Sequence, residues 1–206
     1  MMKMTIKYLA VIVVLMGVAA HGQTNKEDNV DFVLGGGLIG SAGYSDFIDD
    51  AYSSFYDTSG GDGWLDLYVG VEIRPAAQFG ILLGCDMMIN GVDATGGPLA
   101  ESYGNVIMVP SVYGQLYFTE SRVFYINGGI SLPLPDTGSD YFEFENNGLG
   151  LGANLGVEIA GVLRIEGGYT YIPVTVKTTS SNPIYPAGLE EDYNFGGVQL
   201  RALLAF

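Results

Sequence analysis

Charged side chains of both signs recur at alternate positions inside apolar stretches of this 206-residue chain: Asp66, Glu72 and Arg74 in one, Asp86 in the next, then Glu158, Arg164 and Glu166, and finally Arg201. A lone buried charge is costly, so carboxylates and guanidiniums on one face of such stretches are expected to pair with each other, and the Arg fork suits bidentate pairing. Other candidate chemistry is weaker. Asp46, Asp49, Asp50, Asp57 and Asp62 crowd residues 44–63, and Glu190, Glu191 and Asp192 close a later segment. Hard oxygen donors suit Ca²⁺ or Mg²⁺, but the spacing fits no defined calcium loop. The first set is a candidate weak cation-binding loop, and the plainer reading is a solvated acidic loop. Gly35-x-Gly37-x-x-Gly40 matches a dinucleotide fingerprint, which needs a helix immediately after the turn. Residues from Ser41 onward read instead as polar loop, so the glycines are expected to pack in a strand. Cys85 is the only cysteine, which excludes an intrachain disulfide; it falls on an apolar face, where a thiol is expected to be inert. No cofactor and no metal centre is called for.

The N-terminus predicts export. Lys3 and Lys7 precede an apolar run over residues 8–18, the build of a signal peptide. The run is short of the roughly 18 apolar residues of a spanning helix. Ala20 and Gly22 put small residues before a cut at Gln23, so residues 1–22 are expected to be removed, with 23–30 a short lead. Removal takes Lys3, Lys7 and the sole histidine, His21, leaving six basic residues against 23 acidic ones, a net charge of −17. Such a chain cannot neutralise phosphates, which excludes a nucleic-acid partner. No later apolar run reaches helix-spanning length, so membrane entry would require a closed barrel.

The elements that would position the charges are strands. Residues 64–74 alternate cleanly: Leu65, Leu67, Val69, Val71 and Ile73 share one face, opposite the charges. The chain ends on Val198, Leu200, Ala202, Leu204 and Phe206 in the same period of two, a strand signal. Strands are predicted over residues 31–41, 64–74, 79–90, 105–118, 123–132, 148–159, 162–171 and 193–206. Pro110 leaves the register of the fourth open. The connections alternate long (44–63, 91–104, 133–147, 172–192) and short (75–78, 119–122, 160–161), so all long ones fall at one end. The predicted fold is all-β, an eight-stranded antiparallel up-and-down barrel over residues 31–206. Gly70, Gly80, Gly84, Gly152 and Gly156 on the charged face would make room in a narrow lumen. Phe79, Tyr117, Tyr169 and Tyr171 near strand ends suit the membrane interfaces. A soluble barrel with its apolar face inward would show the same alternation.

With its signal peptide, alternating loops and terminal Phe206, and with strands such as residues 124–133 (FYINGGISLP) and 149–159 (LGLGANLGVEI), the chain resembles the small outer-membrane β-barrels of the OmpA/OmpX type. The resemblance implies the cell outer membrane as location and membrane lipid as surroundings. It implies engagement of the barrel-assembly machinery through the C-terminal strand, Phe206 serving as insertion signal. A monomer and a non-enzymatic role are expected: barrel enzymes commonly use a histidine, and without one a serine would need a carboxylate or lysine base. The leading functional expectation is a structural or surface-interaction role, with Tyr52, Phe55, Tyr56, Tyr141, Phe142 and Phe144 in the outer loops meeting an unidentified surface ligand. The alternatives are a narrow pore or carrier of small hydrophobic molecules, and a secreted soluble ligand-binding barrel. Counting from the short turns, Glu72, Glu158, Arg164, Glu166 and Arg201, with Arg74 beside them, are expected to form one charged layer across the lumen.

Overall fold

The computed structural model describes residues 29–48, 57–60, 63–95, 101–119 and 121–206. The segment read as a signal peptide lies outside them. Eight strands form the wall: β1 (Val30–Gly40), β3 (Gly63–Ala76), β4 (Phe79–Thr95), β5 (Glu101–Tyr117), β6 (Phe124–Ser131), β9 (Gly150–Ile159), β10 (Leu163–Tyr171) and β13 (Val198–Ala205). Each pairs antiparallel with its neighbours, and the register Val33↔Ala205 through Gly40↔Val198 closes β13 onto β1. The predicted eight-stranded barrel is the observed fold. Period-two side chains give each strand an apolar and a polar face, and closure leaves no unpaired edge in the wall.

Hairpins at one end are tight. Ala160 and Gly161 both adopt positive φ, 55° and 69°, the geometry of a two-residue turn whose twist matches its strands. The long connections at the other end are more ordered than expected. Directly after the Gly35–Gly40 run comes helix α1 (Ala42–Ile48), capped by Ser41, whose Oγ accepts the Tyr44 N–H at 3.1 Å. The expected polar loop is therefore corrected at this point. A serine before a short helix is an N-cap signal, and seven residues are too few to show a helical period. β2 (Asp57–Gly60) pairs with the outer end of β4. β7 (Leu134–Thr137) continues along β5 beyond β6. β8 (Phe142–Asn146), β11 (Pro173–Thr178) and β12 (Glu190–Asn194) form a second sheet in the order β12-β11-β8. Tyr193 and Asn194, expected to open the closing strand, belong to β12.

This second sheet extends β13, β10 and β9 past a bend at Ile172–Pro173 and Phe195–Gly197, across which Phe195 N–H still donates to the Ile172 carbonyl at 2.8 Å. A Cβ at Gly197 would overlap the backbone of Gly40, so the bend needs glycine there. Beyond it, Phe142, Phe144, Val174 and Val176 turn inward and are buried against α1. Tyr44 and Phe47, three apart on one helix face, complete this cap.

Pro110 points outward on β5, opposite Cys85. The residues of β5 that face inward are Asn105, Ile107, Val109, Ser111, Tyr113, Gln115 and Tyr117, all buried, which settles the register left open. Tyr117 is thereby moved from the expected interfacial belt into the lumen. Tyr169 and Tyr171 do face outward, 52% and 43% exposed.

Gly156 shows how tightly the lumen is filled: the Tyr125 ring lies where its Cβ would stand. Gly156→Ala should therefore lower stability by ~1–3 kcal/mol. Gly114→Ala, whose added Cβ would meet only ordinary contacts at 3.9 Å, should be tolerated. Urea unfolding followed by the fluorescence of Trp64, the single tryptophan, separates the two.

Candidate functional site: a paired-charge lumen under an aromatic cap

Among the described side chains, inward positions of the wall carry six carboxylates, from Asp31, Asp66, Glu72, Asp86, Glu158 and Glu166, and three guanidiniums, from Arg74, Arg164 and Arg201. They group around two arginines. Arg164, fully buried on β10, donates from Nε to Glu158 Oε2 at 2.9 Å and from Nη2 to Glu72 Oε2 at 2.6 Å. The same Nη2 lies 3.6 Å from Asp31 Oδ2, and Asp31 in turn accepts from Arg74 Nη2 at 2.6 Å. The Tyr117 hydroxyl donates to the other Glu72 oxygen at 2.9 Å. Arg201 on β13 donates to Glu166 at 2.6 Å and Asp86 at 3.0 Å, and its guanidinium lies 4.8 Å from the Tyr68 ring centroid. Glu166 also accepts from the Tyr125 hydroxyl and Asn127, at 2.7 and 3.0 Å. Beside this group Gln199 donates to Asp66 at 3.0 Å, and the Asp66 and Asp86 carboxyls meet.

The expected single layer is therefore two. Arg164 stands directly opposite Glu158, and Glu166 directly opposite Arg201, as cross-strand pairs two residues apart along β10. The Tyr125 ring sits between the tiers, with the Arg164 guanidinium 5.9 Å from its centroid. Alternation says which residues point inward, whereas height in the lumen follows from strand stagger. Sequence reasoning left Asp31, Tyr117, Tyr125 and Gln199 out of the network. The parity of β1, with Asp31 in step with Val33, was the available signal for the first.

Above the charges the lumen becomes apolar. Trp64 is buried, with Tyr44 4.6 Å and Phe195 5.8 Å from it between ring centroids. Phe47 meets Phe142 and Phe144 edge-on, each at 5.4 Å. Edge-to-face packing is a favourable ring geometry. Asn105 donates to the Tyr44 hydroxyl at 2.8 Å, and burial pushes that hydroxyl above its usual range despite the bond. The void beside Asp86, Thr170 and Gln199 measures about 10 Å³. On the outer face of the cap sheet, Lys177 is held between Glu145 and Glu190, at 2.8 and 2.9 Å, and those carboxylates keep its ammonium charged above the usual range.

Other sequence candidates fall elsewhere. Asp46 is exposed on α1, Asp57 opens β2, and Asp49, Asp50 and Asp62 lie outside the described residues. Among the described residues no group of three acids, histidines or cysteines is arranged to hold a metal. Tyr52, Phe55 and Tyr56 are likewise outside. Phe142 and Phe144, expected on a contact surface, are instead buried in the cap core, and Tyr141 is half-buried. Cys85 faces outward, sealed beside Val69 and Met108. Phe206 is exposed and packs edge-on against Phe32 at 5.3 Å.

The wall's outer surface is apolar on every strand: Leu38, Leu65, Leu83, Val112, Ile126, Leu155, Ile165 and Leu200 are all exposed. With charge inside and hydrocarbon outside, the polarity is the reverse of a soluble barrel, and a belt this large exceeds what a water-facing surface carries. Among solved structures the chain is similar to the outer membrane protein OprG from Pseudomonas aeruginosa. The TM-score is 0.55 at 14% identity, over 87% of this chain and 96% of that one. The two share the barrel fold. No family model and no curated protein matches the sequence.

Removing the guanidinium from the inner tier strands Glu72 and Glu158 without a counter-charge. Arg164→Met should cost ~3–5 kcal/mol in urea unfolding. Asp66→Asn acts in the opposite direction: an amide keeps an acceptor for Gln199, offers Asp86 a donor and removes one like charge. It should raise stability by ~1 kcal/mol, measured in the same assay.

Proposed function

We propose that the protein is a non-conducting, non-enzymatic outer-membrane barrel whose working part is its outer cap. The observation that carries this reading is the filled lumen, with two tiers of ion pairs beneath an aromatic plug. Lipid contact through the apolar wall, and assembly through the C-terminal strand with Phe206 as insertion signal, belong to the same proposal. A filled eight-stranded barrel offers solutes no water path, so what the chain does beyond holding its place falls to the elements above the bend. The acidic outer face of the cap, with Glu143, Glu145, Glu190 and Asp192 against Lys177, supports a role in contact at the cell surface.

Carriage of small apolar molecules is the second reading, favoured by one observation. Beside Pro110, where β5 passes from pairing with β6 to pairing with β7, an apolar groove of about 390 Å³ opens on the wall between Leu83, Val112, Ile130 and Leu149. Filling it with Val112→Trp should leave the protein's behaviour unchanged under the first reading and block uptake of apolar solutes under the second.

The first reading predicts that the purified protein fractionates with detergent-extracted outer membrane and gives no steady conductance in planar bilayers. Replacing Arg164 and Arg201 together by alanine should produce leakage or loss of folding. A wild-type channel of fixed conductance, or a double variant unchanged in both respects, would refute it.

A further inference from the structure

The cap holds a pocket that the filled lumen does not account for. It encloses about 80 Å³ and opens to the outer solution. Its aromatic walls are Phe47 from α1, Phe142 from β8, Tyr193 from β12, and Tyr185 from the connection between β11 and β12. Phe47 stands edge-on to both Phe142 and Tyr193, at 5.4 and 5.7 Å between centroids, so the rings meet as a corner. The connection that brings Tyr185 is itself ordered: Asn182 Oδ1 accepts the N–H groups of Ile184 and Tyr185, at 3.0 and 2.9 Å. Gly188 N–H donates to the Thr178 carbonyl at 2.9 Å. The site is therefore built before any ligand arrives.

Its polar content is one-sided. Among the described lining residues Glu191 is the only ionisable side chain apart from the tyrosines, and none is basic. One Glu191 oxygen accepts the Tyr193 hydroxyl at 3.0 Å, which fixes the carboxylate against a ring. Thr178, the remaining polar residue, has its hydroxyl engaged with Pro186 and Leu189. Rings beside a carboxylate, with no cation among the described lining residues, form the complement of an organic ammonium. The ring faces attract the positive charge, the carboxylate pairs with it, and the apolar walls take its body. The acids on the outer face of the same sheet raise the local concentration of cations, while Lys177 is already held by Glu145 and Glu190.

The geometry points to a binding site for a small soluble amine with an apolar or aromatic body, taken from the outer side by Glu191 and the Phe47, Phe142, Tyr185 and Tyr193 rings. This names a ligand class for the cap and rests on the reading of the cap as the working part.

The test uses the full chain in nanodiscs of phosphatidylglycerol, with empty nanodiscs as blank, and calorimetric titration. Phenethylamine should bind; 2-phenylethanol, of the same size but neutral, should bind roughly tenfold more weakly; and 3-phenylpropionate should not bind. Glu191→Gln, an exposed substitution that leaves the core untouched, should bring the amine down to the level of the alcohol. Phe142→Leu should weaken both. Equal binding of amine and alcohol, an unaffected Glu191→Gln variant, or no binding of either would overturn the inference. So would loss of amine binding in phosphatidylethanolamine nanodiscs, which would assign the pocket to a lipid headgroup. None of these outcomes bears on conductance, so the sealed-barrel reading stands or falls separately.

Discussion

Arg164 carries its charge at a point in the barrel that no solvent reaches, and much of the lumen is arranged around that fact. An unpaired guanidinium there would cost more than the fold can supply. Glu158 meets it from the neighbouring strand, Glu72 from across the lumen and Asp31 from β1. Each of these carboxylates ties another strand to β10, and the Tyr117 hydroxyl ties a fourth through Glu72. Arg201 repeats the arrangement one tier further out, with Glu166 and Asp86. The wall is held by backbone hydrogen bonds between neighbours, whereas the pairs of Arg164 with Glu72 and Asp31 and of Arg201 with Asp86 also bind strands that are not neighbours. Among the described side chains, carboxylates nevertheless outnumber guanidiniums in the lumen six to three, and Asp66 beside Asp86 is where that excess is concentrated.

The pairing is possible because the barrel is narrow. Eight strands leave an interior that side chains can fill, and here they fill it with little room over. Glycines stand where Tyr68 and Tyr125 must lie flat against the wall. The tyrosines do two things at once in this setting. Their rings occupy volume and pack against guanidiniums, and the Tyr117 and Tyr125 hydroxyls donate to Glu72 and Glu166. Because the inward arginines find their carboxylates within the lumen, the outer wall is free to be hydrocarbon, and an apolar wall around a charged core suits lipid.

Toward the outer end the logic changes. The strands outlast the charged tiers, and the bend at Pro173 and Gly196–Gly197 folds three of them inward. Their apolar faces then need a partner. Helix α1 supplies it, with Tyr44 and Phe47 on the side that meets the folded sheet. The outer cap is thus a second core, aromatic where the first is ionic. It leaves its own acidic face to solution and keeps one ring-lined pocket open between helix and sheet.

The sequence by itself determined the class of fold, the number of strands in the wall, their alternation of short and long connections, and which face of most of them turned inward. Each of these follows from local spacing: a period of two assigns faces, and closely spaced turn residues such as Ala160 and Gly161 end strands. Only the tertiary structure decided how the inward charges sort into two tiers, because height in the lumen depends on how eight staggered strands close. The same holds for Tyr117, whose side was ambiguous as long as both faces of β5 were apolar around Pro110. The outer end was the least legible. Phe142 and Phe144 read as loop aromatics until β8, β11 and α1, with its Phe47, were brought together from three distant parts of the chain. What makes them core is burial against one another, and no stretch of sequence contains that information alone.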